Sequence, residues 1–284
     1  MICFILNPQS GSKSNRYRLQ ITEYLKKIPS SQLFLTEYPG HAKEIARQLA
    51  KENKTNRIIA IGGDGTINEI GAGLIGSDIP MGIIPLGSGN GLARHLGISM
   101  QFDKALKQAL YGTPIAIDTL SWNDKPFFCT AGLGFDAEVA QDFAKTSGRG
   151  IVNYIKSSFK IITQYSSSQI AINNKPAEAL FSLTIANANQ YGNNAFISPF
   201  SNVQDAQFEV VKIKKGNLWE IGQLGISLFL KLIHKHPNVE ITSTNTLEIK
   251  VASGTAFHLD GESLLTDHDV IKIKLISEKL KIVV

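Results

Sequence analysis

The stretch Ile58-Ile59-Ala60-Ile61-Gly62-Gly63-Asp64-Gly65-Thr66-Ile67-Asn68-Glu69 passes from an apolar strand into small residues carrying one carboxylate, then into a helical pattern. That layout suits phosphate chemistry. Gly62, Gly63 and Gly65 let the backbone approach an anion and take up positive φ, and the amides that open the next helix aim their donors and dipole at phosphate oxygens. A carboxylate beside a bound polyphosphate would be repelled unless a divalent cation lay between them. The expected role of Asp64 is therefore to hold Mg²⁺, directly or through water. The same residues also make a glycine-rich turn whose aspartate serves only local hydrogen bonds.

The elements that must position this loop alternate between strands and helices. Apolar runs at Ile2–Leu6, Leu33–Leu35, Ile58–Ile61 and Met81–Pro85 are short and bounded by Gly, Pro or Asn, as strands covered on both faces should be. Between them Arg18–Ile28, Ala42–Leu49 and Phe102–Leu110 space apolar residues three and four apart, which predicts helices. Such alternation builds a mostly parallel sheet that binds ligands beyond the carboxyl ends of its strands. Loops at Asn7–Gly11 and Pro85–Arg94 belong to that same edge.

After about Asp118 the texture changes to short strand-like runs, at Phe127–Thr130, Ile170–Ile172, Leu180–Asn187, Gln207–Ile213, Thr246–Val251, Ala256–Leu259 and Val270–Ile276. A division into an α/β domain over 1–120 and a mainly β domain over 121–284 follows. Helices are expected at Ile151–Tyr165 and Leu218–Lys235. The latter is apolar around most of its circumference and ends in basic residues, which suits a membrane interface or packing over a sheet.

The 284 residues, 43% hydrophobic and 19% charged, describe ordinary globular domains rather than a disordered chain. A net charge of +5 fits an anionic substrate or membrane surface, with no Arg/Lys block interleaved with aromatics to argue for nucleic acid. Cys3 and Cys129 lie in apolar runs and read as buried hydrophobes. The N-terminus lacks a basic leader, and no window approaches the ~18 apolar residues of a membrane span. The expected location is cytoplasmic, peripheral to the inner face of a membrane.

Taken in order, Asn7-Pro8-Gln9-Ser10-Gly11, Thr36, Gly62 to Glu69, Pro85-Leu86-Gly87-Ser88-Gly89-Asn90 with Ala93-Arg94, Asp118, Gly132-Leu133-Gly134-Phe135-Asp136 and His258-Leu259-Asp260-Gly261-Glu262 resemble the diacylglycerol kinase catalytic-domain family. That family includes bacterial lipid kinases and sphingosine and ceramide kinases. The resemblance implies an NAD-kinase/phosphofructokinase-like α/β domain followed by a β-sandwich, and transfer of the γ-phosphoryl group of ATP·Mg²⁺ to the hydroxyl of diacylglycerol or a sphingoid-type lipid. By matching motif, Asn7, Pro8, Gln9, Ser10, Gly11, Thr36, Gly63, Asp64, Gly65, Thr66, Ile67, Asn68, Glu69 and Ser88 would surround the nucleotide. Asp64 and Asp118 would join a water-linked Mg²⁺ network. Asp205, with carbonyls of Asn202 and Gln207, would bind a structural cation.

Either Asp260 or Glu262 would take the proton of the attacking hydroxyl. Phosphoryl transfer needs such an acceptor, which contributes about 10²–10⁴-fold, and in an extended segment the two side chains would share a face. Asp-Gly is also a plain turn dipeptide. Two residues depart from the family pattern: Gly91 stands where bacterial diacylglycerol kinases carry an acid, and Ala206 where a glycine is usual. The rivals to a lipid kinase are an NAD kinase-like enzyme with a soluble acceptor and a nucleotide- or lipid-binding protein without turnover. A homodimer is compatible with the exposed edges expected of the β domain.

Overall fold

The structure, a computed structural model, describes residues 1–11, 15–145, 161–162 and 165–284. The helix expected over Ile151–Tyr165 lies largely outside them. The chain forms two compact units, one of Met1–Ile117 with Ser277–Val284 and one of Asp118–Ile276.

In the first unit β1 (Ile2–Leu6), α1 (Asn15–Leu25), β2 (Ser31–Leu35), α2 (His41–Glu52), β3 (Arg57–Gly62), α3 (Asp64–Leu74) and β4 (Met81–Pro85) alternate as the apolar spacing predicts, followed by α4 (Gly91–His95) and α5 (Phe102–Tyr111). The strands run parallel in the order β2-β1-β3-β4. Residues Cys3 to Leu6 and Ile58 to Ile61 are buried on both faces, which explains their unbroken apolar runs. All three loops singled out above leave the carboxyl ends of these strands.

The C-terminal residues depart from the 121–284 boundary. The last strand continues past Ile276, and Ile282 pairs in parallel with Met81 while Thr113 and Val284 exchange backbone hydrogen bonds at 3.0 Å. Buried Leu280, Ile282 and Val283 make this return favourable. Lysines alternating along the strand dilute its apolar signal in the sequence.

The second unit is a sandwich. Its strands are β5 (Pro114–Trp122), which enters from the first unit, β6 (Lys125–Phe127), β7 (Thr130–Gly134), β8 (Ser168–Ile172), β9 (Glu178–Leu180), β10 (Ser182–Ala186), β11 (Phe208–Ile213), β12 (Val239–Thr244), β13 (Thr246–Lys250), β14 (Ala256–Leu259), β15 (Glu262–Leu265) and β16 (Val270–Val283). One antiparallel sheet has the order β12-β11-β10-β7-β14-β15, and β8, β9, β13 and β16 pair in the other. Leu133, Ile185, Phe208 and Phe257 meet Trp122, Ile249 and Ile273 in the core between them, with the rings of Trp122 and Phe257 stacked at 4.7 Å. On the far face of the six-stranded sheet, Phe181, Val211 and Ile213 are covered by α7 (Leu218–Phe229) and by a 3-10 turn at Ile233–Lys235. α6 (Phe135–Lys145) follows β7.

The single helix expected over Leu218–Lys235 is thus two pieces. Lys231 takes a left-handed φ of 61° and breaks it, with neither Gly nor Pro to announce the break.

Candidate functional site

The first unit brings its three loops together through short, specific contacts. Asn7 Nδ2 donates to Thr66 Oγ1 at 3.1 Å, and Ser10 Oγ lies 3.4 Å from the same hydroxyl. Thr66 therefore pins the loop after β1 to the first turn of α3. Asn7 Oδ1 accepts from the Gln9 amide at 2.9 Å, which closes the Asn7–Gly11 turn around Pro8. Gly11 has a φ of 75°, and a Cβ there would meet the Leu86 carbonyl oxygen at 2.0 Å. Only glycine fits at that crossing. In the same way Gly63 backs onto Gly87, where a Cβ on Gly63 would meet the Gly87 Cα at 3.2 Å.

Asp64 is the first residue of α3, and both of its oxygens reach the loop after β4. Oδ2 accepts from the Asn90 amide at 2.8 Å and Oδ1 from the Gly91 amide at 2.9 Å. The carboxylate is thus a bracket between two loops as well as the group expected to face a cation. Gly91 contributes its amide to that bracket. Asn90 supports the turn with a φ of 54° and a side-chain bond to the Gly87 carbonyl, and Arg94 Nε donates to the Gly89 carbonyl at 3.0 Å. Arg94 thereby braces the loop that holds Ser88, which is half-buried.

Three residues expected around a nucleotide also make other contacts. Glu69 accepts from the amides of Gly40 at 2.8 Å and Ala42 at 3.1 Å, so its carboxylate caps the start of α2. Ile67 is buried in the core, with its amide bonded to the Gly63 carbonyl. Thr36 is buried at the end of β2, its amide donating to the Leu6 carbonyl. Gly65 and Asn68 remain partly exposed in the first turns of α3. Amides of a first helical turn have no carbonyl partner within the helix, and those of α3 follow the glycine pair Gly62-Gly63. The arrangement can cradle an anion.

In the second unit, Asp260 and Gly261 form the two-residue turn of the β14–β15 hairpin, with φ of 48° and 86° and Leu259 paired with Glu262. The extended geometry that would put both carboxylates on one face is absent here. Asp260 is buried, and its carboxylate accepts from the amides of Phe128 at 3.0 Å, Cys129 at 2.8 Å and Thr130 at 3.1 Å. These amides occupy the break between β6 and β7, where the sequence predicts one continuous run. Glu262 is exposed at the start of β15. One carboxylate of the pair fixes backbone, and the other belongs to an exposed residue.

Asp118 joins the loop expected to bind a cation. Buried at the start of the unit, it accepts from the Ala206 amide through Oδ2 at 2.8 Å, and its own amide donates to the Val203 carbonyl at 2.6 Å. Ala206 sits at a φ of 58°, the left-handed region that explains the family's glycine there. Asp205 and Asn202 are exposed and accept from the amides of Gln207 and Gln204 in side-chain turns. Among the described residues no three His, Cys, Asp or Glu side chains converge on a metal site. A cation in this loop would draw chiefly on backbone carbonyls and water. Nearby, burial pushes the carboxyl of Glu209 above its ordinary range despite the hydrogen bond from Ser201, and Asp205 adds to the rise.

One cluster escaped the sequence reading. Asp136 Oδ2 accepts from Thr184 Oγ1 and Tyr191 Oη at 3.1 Å each and lies 3.2 Å from His258 Nε2, with Asp136 and His258 packed over Gly132. Its members are far apart in the chain, and only Gly132 to Asp136 and His258 fall in recognisable motifs.

A profile of the diacylglycerol kinase catalytic domain matches residues 1–122. The lipid kinase YegS of Escherichia coli (strain K12) is 32% identical over 218 residues, covering 73% of this chain and 71% of that protein. The probable lipid kinase YegS-like of Citrobacter koseri is 32% identical over 232 residues, covering 77% and 74%. An uncharacterized protein of Synechocystis, sll0036, is 32% identical over 164 residues, which span 53% of this chain but 38% of that one. A crystal structure of a diacylglycerol kinase from Bacillus anthracis str. Sterne shares the fold, with a TM-score of 0.70 at 18% identity over 99% of this chain and 96% of that one. The chain belongs to the diacylglycerol kinase catalytic-domain family, a family of lipid kinases.

Proposed function

We infer that the protein is an ATP-dependent lipid kinase that transfers the γ-phosphoryl group to a hydroxyl of diacylglycerol or a sphingoid-type lipid. The observation that carries this reading is the convergence of the loops after β1, β3 and β4 on Thr66 and Asp64 at the start of α3. Helix amides and close-packed glycines supply donors for phosphate oxygens without the cost of moving backbone during the reaction. Asn7 to Gly11, Gly63 to Thr66 and Ser88 would hold the nucleotide. Thr36, Ile67 and Glu69 would support it from behind.

Mg²⁺ would arrive on the triphosphate and keep much of its water, as this ion does. Asp64 is the carboxylate the first unit offers it. Glu262 would accept the proton of the lipid hydroxyl as the new P–O bond forms and the bond from the γ-phosphorus to the bridging oxygen breaks, releasing ADP. Asp260, which accepts three amides, is poorly placed to act as a base, and it would hold the hairpin that carries Glu262.

The test is to incubate the protein with radiolabelled ATP, Mg²⁺ and mixed micelles of diacylglycerol or sphingosine. Label in one lipid, lost with Glu262→Ala, is the expected result. ATP hydrolysed or bound without label in any lipid would overturn the reading.

A further inference from the structure

Helix α7 has two apolar faces. Ile221, Leu224 and Leu228 pack on the six-stranded sheet. The opposite arc carries Leu218, Trp219, Ile226 and Phe229 and continues into Leu230, exposed by 69%, 75%, 62%, 47% and 60%. On a helical projection these side chains fall within about a third of a turn, which Gly222 shares and no charged residue interrupts. Soluble surfaces rarely expose so many large apolar groups side by side, and such patches mark an interaction.

Charge surrounds this face at both ends. Lys214 and Lys215 precede Leu218, and Lys231 and Lys235 follow Leu230; all four are exposed. Lys215 Nζ donates to the Tyr165 carbonyl, and Lys231 Nζ lies 4.3 Å above the Phe196 ring, so these two ammonium groups are fixed near the rim of the patch. The acid of the helix, Glu220, is tied into a capping box with Asn217 and also accepts from Asn238.

We propose that the Leu218–Leu230 face is a docking surface for an anionic lipid bilayer, in which Trp219, Ile226 and Phe229 enter the interface while the flanking lysines meet lipid phosphates. Trp and Phe beside aliphatic groups, under a basic rim, is the composition of helices that lie in a membrane surface. Anionic lipid complements the lysines. A second copy of the chain does not, since two-fold antiparallel pairing of α7 would set the lysines at one end against those at the other. This inference gives the lipid-kinase reading its membrane contact and rests on that reading for its purpose, though its physical test does not.

The test uses the full chain with vesicles of phosphatidylcholine, with and without phosphatidylglycerol, and follows co-sedimentation and tryptophan emission. The chain has two tryptophans, and Trp122 is buried in the sandwich core, so a change on binding reports Trp219. Expected are binding that needs the anionic lipid, a blue shift, and a loss on the order of tenfold in partitioning for each of Trp219→Ser, Ile226→Ser and Phe229→Ser. The triple variant should still fold, because these side chains are exposed. It should phosphorylate a dispersed short-chain lipid at the wild-type rate while losing activity on vesicle-borne lipid. Unchanged vesicle binding by the triple variant, or its conversion from dimer to monomer, would overturn the proposal. Vesicle binding through this face without phosphorylation of any lipid would support docking and sink the kinase reading, whereas activity on short-chain lipid without vesicle binding would do the reverse.

Discussion

Asp64 and Asp260 each precede a glycine, one opening a helix and the other a hairpin turn, and both spend their carboxylates on main-chain amides. In the α/β unit, Asp64 ties the first turn of α3 to Asn90 and Gly91. In the β unit, Asp260 ties a hairpin turn to Phe128, Cys129 and Thr130. Asp64 accepts at a partly exposed loop edge, whereas Asp260 accepts while 7% exposed. A carboxylate in a glycine motif can thus be the brace that holds a site in shape. Under the proposed function, chemistry would then fall to an exposed neighbour, which in the β unit is Glu262.

Substitutions separate the two carboxylates. The largest effect belongs to Glu262→Gln, which removes the proposed proton acceptor and should cut lipid phosphorylation by about 10²–10⁴-fold. Stability should stay within roughly 0.5 kcal/mol, as for other exposed positions. Asp260→Asn leaves buried amides short of acceptors and should cost on the order of 2–4 kcal/mol in chemical denaturation, at about 1–3 kcal/mol for each unsatisfied group. Asp64→Asn keeps one acceptor for two amides and should cost about 1–3 kcal/mol. It should also raise the KM for ATP, because the Asn90 loop is no longer held against α3.

Ala206→Gly should act in the opposite direction. Relief of a left-handed alanine is worth about 1 kcal/mol, visible as a higher unfolding midpoint. The smallest effect concerns pH. Glu209 is raised by burial, so its contribution to stability is present below the ordinary glutamate value of 4.5 and is lost as pH rises through the raised value. Glu209→Gln should remove that loss, so its melting temperature gains on the wild type as pH rises through this window.

Much of the first unit was legible because its signals are local. Short apolar runs ending in glycine loops place β1, β3 and β4, and ligand-facing loops necessarily follow their carboxyl ends. Glu69 was not legible, since the helix it caps begins 28 residues earlier in the chain and the pairing is tertiary. The role of Asp260 was hidden for the same reason, its amide partners lying about 130 residues away. An Asp-Gly pair reads equally as a turn and as an acid motif, and here the turn supplies the geometry for the acid that follows. The break of α7 at Lys231 has no sequence mark, because a left-handed lysine is imposed by what surrounds it.

The most direct measurement is turnover and thermal stability of Glu262→Gln and Asp260→Asn, assayed side by side on the lipid that accepts the phosphoryl group. Expected are a Glu262 variant that melts with the wild type but is nearly inactive, and an Asp260 variant that melts lower. A Glu262 variant with wild-type turnover, or an Asp260 variant that is inactive yet fully stable, would contradict the proposed roles of the two carboxylates.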